Sequence, residues 1–313
     1  MALISTPVHI RVPATSANIG PGFDALGLAL SRHDLVEARV AGSGVRVEVA
    51  GEGAGELPTD GSHLVVRAMA AAFEALGESP PGLRLRCRNG IPQARGLGSS
   101  SAAIVAGVLL ARALTAGGAE RLDDAAALAL ASRIEGHPDN VAPCLLGGFT
   151  IAYLTDGVGR AVRLTPSPSV TPVVYVPAER GLTAEARAAL PSDVPHADAA
   201  FNAGRAALLV HAITTDPELL LSATEDRLHQ DYRAPGMPAT SALVRQLRSA
   251  GVPAVVSGAG PTVLALLRPG ETAPDPGAPW RKWQLRVDAS GATVAQGTIG
   301  HAERDPVAAG RES

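Results

Sequence analysis

Arg95 to Leu114 reads RGLGSSSAAIVAGVLLARAL, two glycines and three serines running directly into a long apolar stretch. A glycine-rich loop that opens a helix exposes unpaired backbone N–H groups, and the helix dipole adds positive potential at the same place. Gly96 and Gly98 let the backbone approach a phosphate closely, while Ser99, Ser100 and Ser101 supply hydroxyls that can cap the helix, donate to phosphate oxygens or reach a metal. The loop has no lysine where a Walker loop would carry one. A serine-capped buried helix after a flexible turn would be spelled the same way, so this stretch alone leaves cradle and cap both open. What it does set is a helix over 101–114 that is apolar nearly all round and therefore buried.

Around that helix the first half mixes strand and helix signals. Residues 9–12, 35–42 and 45–50 alternate as strands do, 63–77 carries apolar residues at helical spacing, and 83–88 reads as a strand. Residues 123–136 open on acidic residues and close on a glycine, a helix with proper ends. A strand pair is expected over 147–154 and 160–166. The Pro/Ser-rich TPSPSV beside Ser167 is the candidate linker, giving domains over 1–165 and 166–300 and a tail over 301–313. Beyond the linker come a strand (172–177), helical segments from Thr183 to Ala250, and a strand–turn–strand over 253–267.

The chain has 313 residues, 46% of them hydrophobic and 18% charged, which suits a folded chain of two domains. A net charge of -3 gives no electrostatic case for nucleic acid or an anionic membrane. Cys87 and Cys144 are the two cysteines, far apart, with neither a disulfide framework nor metal-ligand spacing. The N-terminus lacks the layout of a signal peptide, and the apolar run 102–111 is well short of the roughly 20 residues that span a bilayer, so a cytoplasmic protein is expected.

Three more stretches hold polar side chains at uncommon density. In RIEGHPDNVAP (133–143), Glu135, His137, Asp139 and Asn140 crowd together. Glu135 falls at a helix C-terminus, where a carboxylate is unfavourable by roughly 0.3–1 kcal/mol; a divalent metal, an arginine or solvent would compensate. In PATSANIGPGFDALGLAL (13–30), read as a glycine-containing loop between apolar stretches, Asn18 can donate and accept while ionised Asp24 only accepts. That pairing suits a zwitterionic or hydroxylated small molecule. SGAGPT (257–262) is a small-residue turn, either a hairpin or a backbone surface pressed on a ligand. His9, His33, His196, His211 and His229 join no polar cluster and are read as structural.

Taken together, GLGSSSAA, PATSANIGPGFDALG, EGHPDNVAP and SGAGPT resemble the GHMP small-molecule kinases and, within them, the homoserine kinases, over nearly the whole chain to about Val294. The resemblance implies an α+β fold of two domains with the active site in the cleft between them. The N-terminal domain would be like domain 2 of ribosomal protein S5, with a left-handed βαβ unit, and the C-terminal domain a ferredoxin-like sandwich. It implies transfer of the γ-phosphoryl of ATP to the hydroxyl of L-homoserine, as in threonine biosynthesis. Arg95, Gly96, Leu97, Gly98, Ser99, Ser100 and Ser101 would wrap the phosphates of ATP, and Ser100 with Glu135 would hold Mg²⁺. Asn18, Asp24, His137, Asp139, Asn140, Thr183, Arg187, Arg233 and Gly260 would bind the acceptor, with arginine on its carboxylate.

Asn140 stands where some relatives carry an aspartate base, so no side-chain base is expected; Asn140, Asp139 and Arg187 would do the orienting in the reaction. Many relatives have asparagine near the adenine where this chain has His63, which puts His63 with the nucleotide or makes it a helix cap. Alternatives within the resemblance are a mevalonate-type kinase and a nucleotide-binding relative without catalysis. A dinucleotide-dependent oxidoreductase fails, because GLGSSS lacks the third glycine. The partners are small molecules, not nucleic acid or membrane, and a homodimer is an assembly this reading allows.

Overall fold

The computed structural model describes residues 3–297; the tail read over 301–313 lies outside them. The first strand, β1 (Val8–Asn18), turns back into β2 (Gly22–Val40), and the two pair antiparallel along most of their length. The expected loop over 13–30 is therefore two strands joined by a turn at 19–21. Ala14, Thr15, Ser16 and Ala17 are completely buried. A strand of small residues covered on both faces shows no alternation, which is why it reads as a loop. Pro13 sits where the register shifts, a place that tolerates a missing donor.

Strand β3 (Gly44–Gly51) runs through helix α1 (Leu64–Ala75) to β4 (Gly82–Asn89), which lies parallel to β3 and antiparallel to β2. Helix α2 (Ser99–Ala113) then packs on α1 and β1, with Ile104, Val105, Val108, Leu109 and Leu110 buried. Helices α3 (Gly118–Arg121), α4 (Asp124–Glu135) and α5 (Val141–Leu146) follow, then the hairpin β5 (Phe149–Thr155) and β6 (Val158–Leu164).

Past the Pro/Ser segment, β7 (Thr171–Val176) begins a second sheet. Helices α6 (Thr183–Ala188), α7 (His196–Thr214), α8 (Leu220–Ala223), α9 (Gln230–Arg233) and α10 (Pro238–Ser249) precede β8 (Ala254–Val256) and β9 (Val263–Leu267). Strands β10 (Arg281–Gln284) and β11 (Thr293–Gln296) close the described chain. The second sheet has the order β10-β7-β9-β8, while β11 returns to pair with β1 at the margin of the first, β11-β1-β2-β4-β3.

The second sheet is apolar on both faces because both are covered. Val174, Val176, Leu264 and Leu266 join the large core that extends to α2, whereas Val173, Tyr175, Val263 and Ala265 face a smaller core with Leu243 and Leu247 of α10. That period of two follows from the strand pleat. No helix among the described residues is long and apolar enough to cross a membrane.

Candidate active site

The four polar stretches meet at the N-terminus of α2. Gly98 is its N-cap at φ +69°, and no side chain caps the helix, so its first N–H groups are left to an anion. The serines are thus not caps. Ser100 Oγ and Ser101 Oγ both donate to Glu135 Oε1, at 2.5 and 2.9 Å. A Cβ at Gly98 would stand 1.9 Å from Thr15 Oγ1, and one at Gly96 (φ +73°) would stand 2.3 Å from the Ser257 carbonyl. Glycine is needed at both positions for conformation and for close approach.

Backbone hydrogen bonds zip this loop to its neighbours. Thr15 N donates to Leu97 O (3.0 Å), Thr262 N to Arg95 O (3.3 Å) and Gly258 N to Ala17 O (3.0 Å). Ser257 Oγ donates to Gly96 O at 2.6 Å and stands 2.8 Å from Ser16 Oγ. Leu97 places its side chain in the core, and only its backbone serves the loop. The Arg95 guanidinium is engaged by carbonyls of Gln93, Pro177 and Ala178, which ties the loop to the end of β7.

On one side of this loop lie the acceptor candidates. Asn18 (φ +67°) and Asp24 (φ +55°) hold left-handed backbone without being glycine. Such strain costs of order 1–3 kcal/mol and persists where the surroundings enforce it. Here Asn18 accepts from Asp24 N at 2.9 Å and donates to Gly258 O at 2.9 Å, so its amide locks the turn. Arg187 of α6 grips Asp24 with two hydrogen bonds of 2.9 and 3.0 Å. His137 and Asp139 lie 2.5 Å apart, and Asp139 also accepts from Asn140 N, which holds the imidazole pKa above the ordinary histidine value. Asn140 Oδ1 takes the Thr15 hydroxyl at 2.8 Å, leaving Nδ2 with no partner among the described residues.

Arg233 differs from Arg187. It is 3% exposed, and no carboxylate pairs with it among the described residues. Its Nε donates to Ala186 O (3.0 Å) and Nη1 to His229 Nδ1 (3.1 Å), which leaves Nη2 for a ligand. Thr183 stands beside it on the cavity wall. Gly260 does not; Gly258 and Ala259 form that part of the wall, while Gly260 packs against Met237 and Val256 behind them.

On the other side of the loop the wall is apolar, with Val12, Val36, Leu57, Leu64, Val65 and Ala102. His63 caps α1 through Nδ1, accepting from Val65 N at 3.3 Å, while its buried Nε2 has no hydrogen-bond partner among the described residues and His63 lines the wall. Burial lowers its pKa, so the ring is neutral and Nε2 carries the proton. Asp34, buried at the cavity wall, accepts from Gly90 N and Ile91 N at 2.7 and 2.9 Å. Both arms belong to one cavity of about 430 Å³, with the α2 N-terminus between them.

Sequence reading missed Thr15, Asp34, Ser257 and His229 as parts of this machinery. Thr15 and Ser257 lay inside stretches already singled out, but neither residue type says on which neighbour it will act. His229 and Arg233, four apart across the start of α9, carried a spacing that could have been noticed.

Residues 63–148 match the GHMP kinases N terminal domain and residues 205–276 the GHMP kinases C terminal domain. Homoserine kinase from Streptomyces coelicolor is 59% identical over 297 residues, 94% of this chain and 96% of its own. That of Streptomyces avermitilis is 57% identical over 298 residues, 94% of this chain and 97% of its own. The crystal structure of homoserine kinase from Cytophaga hutchinsonii superposes with a TM-score of 0.80 at 25% identity, covering 94% of this chain and 99% of that one. The chain belongs to the GHMP kinases and, among them, to the homoserine kinases.

Proposed function

We infer that this chain transfers the γ-phosphoryl group of ATP to the side-chain hydroxyl of L-homoserine, giving O-phospho-L-homoserine and ADP. The observation that carries the acceptor is Arg233, a guanidinium 3% exposed, with free Nη2 donors and no carboxylate partner among the described residues. A buried cation is costly unless an anion meets it, and an amino-acid carboxylate fits the planar fork. Asp24 then takes the ammonium group. Its pair with Arg187 is more exposed and can rearrange to admit the zwitterion.

The triphosphate lies along Gly96–Ser101 with its charge on the α2 N-terminus. The base lies against the apolar wall, where His63 Nε2 offers a donor. Ser100 Oγ and Glu135 form an all-oxygen donor set with a single carboxylate, which fits Mg²⁺ because that ion keeps its remaining positions for water and phosphate. Bound there, it neutralises charge on the transferring group.

In the transfer, the homoserine hydroxyl oxygen forms a bond to the γ-phosphorus as the bond to the bridging oxygen breaks, and ADP leaves. Positioning and electrostatics dominate such a loose transition state. Asn140, held by Thr15, turns its Nδ2 donor toward the reacting centre and accepts no proton itself. The hydroxyl proton departs to the transferred phosphoryl oxygens or to water.

A coupled ADP-release assay on L-homoserine, mevalonate, L-threonine and galactose tests the assignment. Turnover is expected with homoserine; robust activity on another compound and none on homoserine would overturn it.

A further inference from the structure

His229 is completely buried, and both of its ring nitrogens are engaged. Nε2 lies 2.8 Å from the carbonyl oxygen of Gly20, an atom that only accepts, so Nε2 carries the ring proton. Nδ1 is then an acceptor, and it takes a hydrogen bond from Arg233 Nη1 at 3.1 Å. These two partners determine the tautomer. Burial keeps the pKa below the ordinary histidine value, consistent with a neutral ring beside a guanidinium. Phe23 closes the arrangement, with its ring centre 5.2 Å from that of His229 and 5.3 Å from the Arg233 guanidinium carbon.

The two contacts reach the two halves of the acceptor pocket. Gly20 lies in the turn between Asn18 and Asp24, and Arg233 reaches the same pocket from α9. Arg233 has three ways of being held from the protein: Nε on Ala186 O, Nη1 on His229, and a long contact from Nη1 to Gly258 O at 3.5 Å. The Ala186 bond alone would let the guanidinium swing about its Nε. The imidazole supplies the second strong contact that sets its plane, and so the direction in which Nη2 points.

We propose that His229 is a positioning residue for the acceptor, its neutral ring aiming the Arg233 guanidinium while it pins the Gly20 turn that carries Asp24. The proposal rests on the reading that Arg233 holds the acceptor carboxylate. His229 touches neither substrate.

Steady-state kinetics on four single variants and one double variant separate the possibilities. His229→Leu removes both contacts and is expected to raise the homoserine KM roughly 10- to 100-fold, as losing a hydrogen bond to a charged group does, while the ATP KM stays within about 2-fold. His229→Asn puts an amide oxygen near the place of Nδ1 and restores the Arg233 contact, so its homoserine KM is expected near wild type. His229→Gln puts an amide nitrogen near the place of Nε2, restores only the Gly20 contact, and keeps the raised KM. If His229→Leu does not fold, the Asn and Gln pair carries the test unaided.

Recovery by Gln and not by Asn would overturn the proposal, since the ring would then only tether the turn. Equal loss of ATP and homoserine affinity in all three would overturn it as well. Arg233→Ala checks the underlying reading: a raised homoserine KM, not raised further by adding His229→Leu, supports both. An unchanged KM in Arg233→Ala removes the carboxylate assignment itself, whereas a raised KM there with a normal KM in His229→Leu removes only the role of His229.

Discussion

The two arms of the cleft are built from different materials. On the proposed phosphate side the site is built from backbone: an uncapped helix N-terminus and two glycines in left-handed conformation, held in place by main-chain bonds from Thr15, Gly258 and Thr262. On the proposed acceptor side the polar groups, donors and acceptors alike, belong to side chains from four separated segments, Asp24, His137 with Asp139, Arg187 and Arg233. A backbone site recognises a shape common to every nucleotide, and tolerates little change because no substitution can restore a lost N–H direction. A side-chain site can distinguish one small molecule from another, and each of its members can be exchanged for a partial mimic. Lesions on the two sides should therefore differ in which KM they raise and in whether a conservative replacement rescues them.

Glu135 should give the largest effect, because it is the carboxylate that takes both serine hydroxyls at the start of α2. Glu135→Gln keeps the acceptor for both serine hydroxyls but loses the charge proposed to hold Mg²⁺. Turnover is expected to fall by about 100-fold or more, the equivalent of roughly 3 kcal/mol, with normal thermal unfolding. Titrating Mg²⁺ in the ADP-release assay checks it; undiminished turnover would mean that the metal is held elsewhere.

Gly98→Ala comes next and probes the backbone side directly. The added methyl carbon would occupy the place of Thr15 Oγ1, and the left-handed conformation adds roughly 1–2 kcal/mol for a residue with a Cβ. The ATP KM should rise and kcat fall, each by roughly 10-fold or more, while the homoserine KM moves little. A variant that raised only the homoserine KM would erase the distinction between the arms.

Asn140 stands where the arms meet, joined to Thr15 on one side and to Asp139 through its own N–H on the other. Asn140→Ala should lower kcat by about 10-fold, the scale of one orienting donor, with both KM values near normal. Near-normal turnover, or a sharp rise in Asn140→Asp, would show that the amide does not orient the reaction.

This division also explains what could be read in advance. The phosphate loop was legible because glycine spacing before an apolar helix is a local signal, though the part played by its serines was not: their hydroxyls turn to Glu135 instead of capping α2. The resemblance nominated acceptor residues, but not that Asn18 would spend its amide locking a turn, or that Arg187 would pair with a carboxylate while Arg233 has none among the described residues. Two of those contacts join distant segments, the Asp24–Arg187 pair 163 residues apart and the Asn18–Gly258 bond 240 apart. Strands β1 and β2 were half hidden for a different reason, because small residues buried on both faces leave no alternation to see. Gly260 failed to line the cavity since the turn presents Gly258 and Ala259 instead.

The smallest effect concerns the support under the backbone arm. Asp34 anchors the start of the loop by accepting from Gly90 N and Ile91 N, and burial lifts its pKa to about 7 against the attraction of nearby Arg32. In the unfolded chain this carboxyl ionises near its ordinary value, 3.8. Between those values the folded protein holds a proton that the unfolded chain has released, so stability from this group falls as pH rises from about 4 to about 7 and stays lower above that. Asp34→Asn keeps an oxygen for the two N–H groups and cannot ionise. Its thermal midpoint should decline less than that of the wild type between pH 5 and pH 8, by an amount corresponding to about 2–3 kcal/mol. Parallel slopes in the two proteins would show that Asp34 is ionised throughout, and that the loop rests on a charged carboxylate neutralised by Arg32, not on a neutral acid.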